Sequence, residues 1–217
     1  MRLPLPTAQY SQRVRYGRYV ARRLRRAKRI ALATDVEAAT LEILKRGREL
    51  EDADGPVQEA MADRDAADDD LDTAAQRARN MLAGRGVEAM TTAPYTLIFP
   101  QGIGYYTAAP LDEETERYDE LRKRLVELLP PDDPARKDTI LVIDAGIAAF
   151  NAAVDALSKA RTEEALASTR LDTAEDAWNR LMTKVYGLLI SELGRPAAER
   201  FFPKAKVGKK KSDDSGT

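Results

Sequence analysis

Arg15, Arg18, Arg22, Arg25 and Arg29 are spaced alternately three and four residues apart, so on one helix they fall along a single stripe, with Arg26 beside it. At ~1.5 Å of rise per residue the stripe runs about 21 Å. Arg13, Arg23 and Lys28 widen it, Tyr16 and Tyr19 lie among the arginines, and Tyr10, Val14, Ala21 and Leu24 supply an apolar strip alongside. A guanidinium is a flat fork of donors that matches carboxylate or phosphate oxygens. Arg15, Arg18, Arg22, Arg25, Arg26 and Arg29 are therefore the candidate residues for binding an anion or an acidic partner. Two occupants compete for them. One is a nucleic acid or an anionic surface, held by charge and weakened by salt. The other is the acidic helix that carries Asp65, Asp68 and Asp72 at helical spacing, with Asp63, Asp69 and Asp70 close by. That helix, in the same chain or in another subunit, would use the same arginines without any ligand, and it is the leading expectation.

A second candidate is aromatic. Aromatics make up only 6 % of the chain, yet Tyr95, Phe99, Tyr105 and Tyr106 fall close together among Pro94, Pro100, Gly102 and Gly104. Such a segment either plugs the end of a helical core or offers Tyr and Phe as an interface.

Metal chemistry finds little support at this level. Consecutive aspartates on a helix diverge, and although Asp52-Ala53-Asp54-Gly55 echoes a calcium loop, Leu50 and Met61 stand where its first and last ligands belong. The expectation is no metal and no cofactor. The chain has neither Cys nor His, which excludes thiol nucleophiles, thiolate zinc sites, disulfides and Ser-His triads. Gly102-Ile103-Gly104 lacks the third glycine and the strand-to-helix context of a dinucleotide site, and among 36 acidic residues any single carboxylate pair is uninformative. An enzyme is not expected.

The elements that must position these residues read as helices. With 43 % apolar and 33 % charged residues, and few β-branched ones, the chain has the composition of a helical globular protein. A first helix starts near Thr7 and runs through the arginines. Thr34-Asp35-Val36-Glu37 reads as a capping box opening a second, ended by Asp54-Gly55-Pro56. A third runs from Pro56 to Ala83. Residues 90–110 suit a short β-hairpin or an ordered aromatic loop. Helix resumes over Asp112–Leu129, stops at the prolines from Pro130 to Pro134, returns from Ala135 to Arg161, and closes with Thr162–Leu193 before Gly194-Arg195-Pro196. The Lys-rich stretch from Pro203 onward reads as a disordered tail.

One feature relates the halves. Shifting the sequence by one hundred positions lays Leu71-Asp72-Thr73-Ala74 on Leu171-Asp172-Thr173-Ala174, and Ile43, Ala60 and Ala67 on Ile143, Ala160 and Ala167. The expected fold is therefore all-α, an antiparallel helical bundle built from two related units by internal duplication. The first unit is 1–86, the aromatic insert 87–110, the second unit 111–202 and the tail 203–217. The expected function is that of a non-enzymatic structural or interaction protein that binds a protein partner or self-associates. The alternative is nucleic-acid or anionic-surface binding through the arginine-rich helix. No signal peptide and no unbroken apolar run of membrane-spanning length is visible, so no membrane span and a cytoplasmic location are expected, with no small-molecule substrate inferred.

Overall fold

Alanine, leucine and the long charged side chains carry little helix penalty. The computed structural model of the protein, which describes Met1 and residues 3–204, is accordingly all-helical, with no strand among those residues. The elements are α1 (Tyr10–Arg26), α2 (Ile30–Ala83), a 3-10 turn at Ala89–Thr91, α3 (Tyr95–Ile98), α4 (Gly104–Thr107), α5 (Glu114–Leu128), α6 (Pro134–Leu193) and α7 (Arg195–Glu199). Of the expected tail only Pro203 and Lys204 are described; the rest, with Lys206 and Lys209 to Lys211, lies outside the described residues.

The breaks fall differently from the expectation. The first comes at Ala27–Arg29, ahead of Thr34. Lys28 takes the left-handed conformation (φ 61°), its N–H donates to Arg25 O at 3.0 Å, and the Arg29 N–H donates to Leu24 O at 3.0 Å. This is a Schellman stop made without the usual glycine, so the sequence carries no signal for it. Thr34 and Glu37 then lie inside α2. So do Gly55 and Pro56, although an interior proline costs ~3 kcal/mol. Both are exposed, while Leu50 before them and Val57 after them pack into apolar clusters, so burial on either side outweighs the local penalty. The expected junction at Arg161-Thr162 is likewise absent: the Thr162 hydroxyl donates to Ser158 O at 2.9 Å within the continuous α6.

The insert forms no hairpin. Its backbone donors are met locally, with Ile98 N–H on Pro94 O at 3.0 Å, Phe99 N–H on Tyr95 O at 2.9 Å and Tyr106 N–H on Ile103 O at 3.0 Å. Tyr95, Ile98 and Phe99 are spaced for one face of a helical turn rather than for the alternation of a strand, and all three are buried.

The residues pack as two compact units that are not the consecutive blocks 1–86 and 111–202. One comprises the described residues of 1–53 and those from Glu164 to Lys204; the other is 54–163. Helices α2 and α6 each contribute one stretch to each unit.

In the first unit, α1 lies against the early stretch of α2 and the late stretch of α6. Gly17 permits the approach, since a Cβ there would collide with Thr40 Oγ1. That hydroxyl is buried, donates to Val36 O at 2.6 Å and accepts the indole N–H of Trp178 at 3.2 Å. Trp178 is fully buried and meets the Tyr16 ring edge-on with centroids 5.8 Å apart; Phe202 packs into the same cluster. Arg13, only 1 % exposed, pairs with Glu175 at 3.1 Å and donates to the carbonyls of Ala8, Leu5 and Pro6 at 2.5, 3.2 and 3.2 Å. It thereby ties the chain ahead of α1 to the unit.

In the second unit, Tyr118, Leu121 and Leu125 of α5 pack with Leu71, Ala74, Ala78 and Leu82 of α2 and with Ile143 and Phe150 of α6. Ile98, Phe99 and Tyr106 join the same cluster. Gly146 does here what Gly17 does in the first unit, for a Cβ on it would meet Leu71 Cδ2 at 2.7 Å.

The crossing at Gly17 yields the first prediction. Gly17→Val forces branched methyls into the Thr40–Trp178 contact and lowers stability by about 1–3 kcal/mol in urea denaturation. Arg22→Ala on the exposed side of the same helix changes it by less than about 0.5 kcal/mol. Equal effects from the two would mean that α1 is not held by this contact.

Candidate functional site

Once Arg13, Val14, Gly17, Val20, Ala21 and Leu24 of α1 are buried, the direction of its arginines is settled. Arg15, Arg18, Arg22 and Arg26 project from the opposite side, are exposed, and make no hydrogen bond or ion pair among the described residues. Tyr19, 44 % exposed, sits between them. The other two candidate rungs are paired: Arg25 holds Glu37 through two hydrogen bonds, and Arg29, beyond the end of α1, pairs with Glu192. Beside this face an open cleft of about 730 Å³ is lined by Tyr19, Arg23, Glu199, Arg200 and Lys204 among others. Asp65, Asp68 and Asp72 belong to the second unit, where two of them have partners. Arg64 takes Asp65 at 2.5 Å and the Tyr118 hydroxyl donates to Asp72 at 2.7 Å.

Three of the four candidate interface aromatics are core. Tyr95, Phe99 and Tyr106 are buried; Tyr106 donates to Ile98 O at 3.0 Å and stacks edge-on with Phe99 at 5.7 Å. Its phenol is pushed up to about 12, chiefly by burial. Tyr105 is half-buried, lies 4.5 Å under the Arg117 guanidinium and donates to Glu120 at 2.9 Å. The segment's large exposed apolar side chains are instead Val87, Met90 and Leu97.

A cluster of acids inside the second unit was not anticipated. Asp68 and Asp72, one turn apart on α2, meet Glu114 from the first turn of α5, and one oxygen of each lies within 4.8 Å of the others. Glu114 is 1 % exposed and its Oε1 has no hydrogen-bond partner. Burial first, then the charges and hydrogen bonding of Asp68 and the charge of Asp72, push its carboxyl up to about 8, while Arg117 pulls the other way. Burial likewise raises Asp72, against the hydrogen bond from Tyr118, and the Tyr118 phenol is raised by burial and by Asp72. A signal for this site exists in the sequence: Glu114, Tyr118, Leu121 and Leu125 share one stripe, which puts an acid at a core position.

Helix α6 carries a different surface. Residues 140–157 are apolar enough, by length and composition, to cross a membrane, and only 28 % of them are buried. Asp144 and Asp155 interrupt the stretch, which is why no unbroken run stands out in the sequence. Leu141 is 73 % exposed, with Val142, Ala145, Ala148, Ala149 and Ala152 exposed alongside it.

No protein-family model, no curated protein and no solved structure matches the chain.

The acid cluster sets a pH dependence. Glu114 has a folded pKa of about 8 against an ordinary 4.5, so the folded state binds the extra proton. Its contribution to stability is complete below about pH 4.5 and is lost as the pH rises towards 8; Asp72, also raised, acts in the same sense. In chelator-treated protein, Tm measured by circular dichroism falls by a few degrees from pH 6 to pH 8, about 2–4 °C per kcal/mol in a chain this size. Glu114→Gln removes most of that fall. A variant with the wild-type slope would show that Glu114 does not carry it.

Proposed function

We propose that the protein is a helical interaction protein that acts by self-association, two copies meeting on the exposed face of α6, and that it transforms no substrate. The observation that carries this reading is the largely unburied apolar stretch at 140–157. Exposed apolar patches of this kind mark interaction surfaces. The side chains also fit a second copy of themselves. In an antiparallel pairing about a two-fold axis between Ala148 and Ala149, Ala145 faces Ala152, the large Leu141 faces the small Ala156, and Asp138 faces Lys159 at each end. Alanines along such a seam let helix axes approach to ~8 Å, the close end of the usual range. Asp138 also lies 3.5 Å from Arg77 of its own chain, and its side chain is 45 % exposed, open to a second cation.

The units themselves are read as copies of one ancestral helical unit, each closed as an antiparallel bundle. Positions one hundred apart are buried alike: Ile43 and Ile143, Ala67 and Ala167, Leu71 and Leu171, Ala78 and Trp178. A shorter helix, α1 or α5, precedes each long one, and Ala21 and Leu121 are buried at matching places on them. Contacts of Thr40 with Trp178, and of Arg77 with Asp138, join early to late stretches of α2 and α6 in the sense of antiparallel packing.

A second reading is favoured by the four exposed arginines of α1 that have no partner among the described residues, with Tyr19 among them: this face binds a nucleic acid, phosphates on the guanidinium forks and a base against the ring.

Light scattering coupled to size-exclusion chromatography is expected to give a dimer for the wild type and a monomer for Leu141→Glu/Ala149→Glu, with helix content unchanged. A wild type that stays monomeric at high concentration, or a variant that still dimerises, would end the reading; recovery of the wild type with lipid vesicles would point to a membrane instead. For the second reading, wild-type protein binds labelled RNA or DNA at low salt and loses about 10²-fold in affinity between 50 and 200 mM salt if four phosphates are engaged. Arg18→Glu/Arg22→Glu abolishes the binding. No binding at low salt rejects it.

A further inference from the structure

Three acids facing one another around a buried Glu114 need compensation, and the nearby cation that acts on Glu114, Arg117, supplies it only in part. Arg117 is committed to Glu113 at 2.6 Å and to the Tyr105 carbonyl at 2.6 Å, and Arg64 to Asp65. The first unit handles its buried charge differently, by setting the half-buried Glu175 on the guanidinium of Arg13. We propose that Asp68, Asp72 and Glu114 hold one divalent cation of the Ca²⁺ or Mn²⁺ class inside the second unit.

The geometry suits such an ion. Ligand oxygens ~2.1–2.4 Å from a metal stand about 3 Å apart when adjacent and about 4–5 Å apart when opposite. The three carboxylates place one oxygen each within 4.8 Å of the others. A separate observation points to a missing ligand. Glu114 is buried, and its Oε1 has no donor in reach among the described residues, a condition that costs free energy unless something positive faces it. Asp68 and Asp72 are half-buried, so water can complete the coordination shell from their side. Tyr118 donates to one oxygen of Asp72 at 2.7 Å, which fixes the carboxylate and leaves its second oxygen for the ion. The donor set is oxygen alone, which selects a hard cation over zinc or copper.

The test uses the full chain after chelation, with Mn²⁺, Ca²⁺ and Mg²⁺ as the probes. Electron paramagnetic resonance is expected to show one Mn²⁺ bound per chain, Ca²⁺ is expected to displace it, and either ion raises Tm. Glu114→Gln and Asp68→Asn each lower the Mn²⁺ affinity at least tenfold, whereas Asp65→Asn, on the exposed side of the same helix, leaves it unchanged. Circular dichroism checks that the variants fold, and if one does not, the wild-type titration and the other variant decide. Absence of saturable binding at millimolar Mn²⁺ and Ca²⁺, or binding that survives Glu114→Gln at wild-type affinity, overturns the proposal.

Discussion

How closely α1 can lie on its neighbours is the constraint from which the first unit follows. Gly17 brings backbone against Thr40, and the Thr40 hydroxyl is simultaneously a donor to Val36 and an acceptor from Trp178. Three helical stretches therefore share one buried polar atom whose hydrogen bonds are met, and a satisfied buried group of this kind orients its surroundings more sharply than apolar contact can. With the glycine side of α1 committed inward, the 3.6-residue period leaves Arg15, Arg18, Arg22 and Arg26 no direction but outward. The basic face is a corollary of the crossing.

The two units illustrate opposite treatments of charge in an interior. Arg13 enters the core with Glu175 and three carbonyls on its terminal nitrogens, only its Nε being without a hydrogen-bond partner among the described residues. Glu114 enters among like charges, and burial keeps its proton on well beyond the ordinary range. A buried ion that is paired tolerates its surroundings, while an unpaired one changes protonation or gathers a counter-ion. The first unit thus meets its buried charge with an opposite one, and the second holds a proton on Glu114, though both are built from the same kind of helix.

Much of the fold was legible because helix period and composition act locally. The all-helical class, the stop at Pro130–Pro134 and the end at Gly194 follow from residues within a turn of each boundary. Trp178, one hundred positions on from Ala78, is buried as Ala78 is, but that Thr40 accepts its indole N–H could not be read from spacing. What stayed hidden depends on distant partners. Lys28 ends α1 in a conformation usually left to glycine, and Pro56 sits inside a helix that packing on both sides sustains. The acid cluster needs α5 to bring Glu114 to Asp68 and Asp72 across some forty residues of chain. Along one helix those aspartates look like a solvated run; only the neighbouring helix makes them a cluster. The arginine stripe was visible as a pattern, but its division into exposed and paired rungs depends on Glu37 and Glu192, which spacing alone does not place.

Trp178 is the chain's single tryptophan and lies wholly in the first unit, whereas the second unit holds only tyrosines and phenylalanines. Under indole-selective excitation, emission from this protein is a private record of one unit, while the far-ultraviolet ellipticity sums over both. Nature has in effect installed a one-sided optical label, and the gap between the two unfolding midpoints measures directly how tightly the halves cooperate through the helices they share.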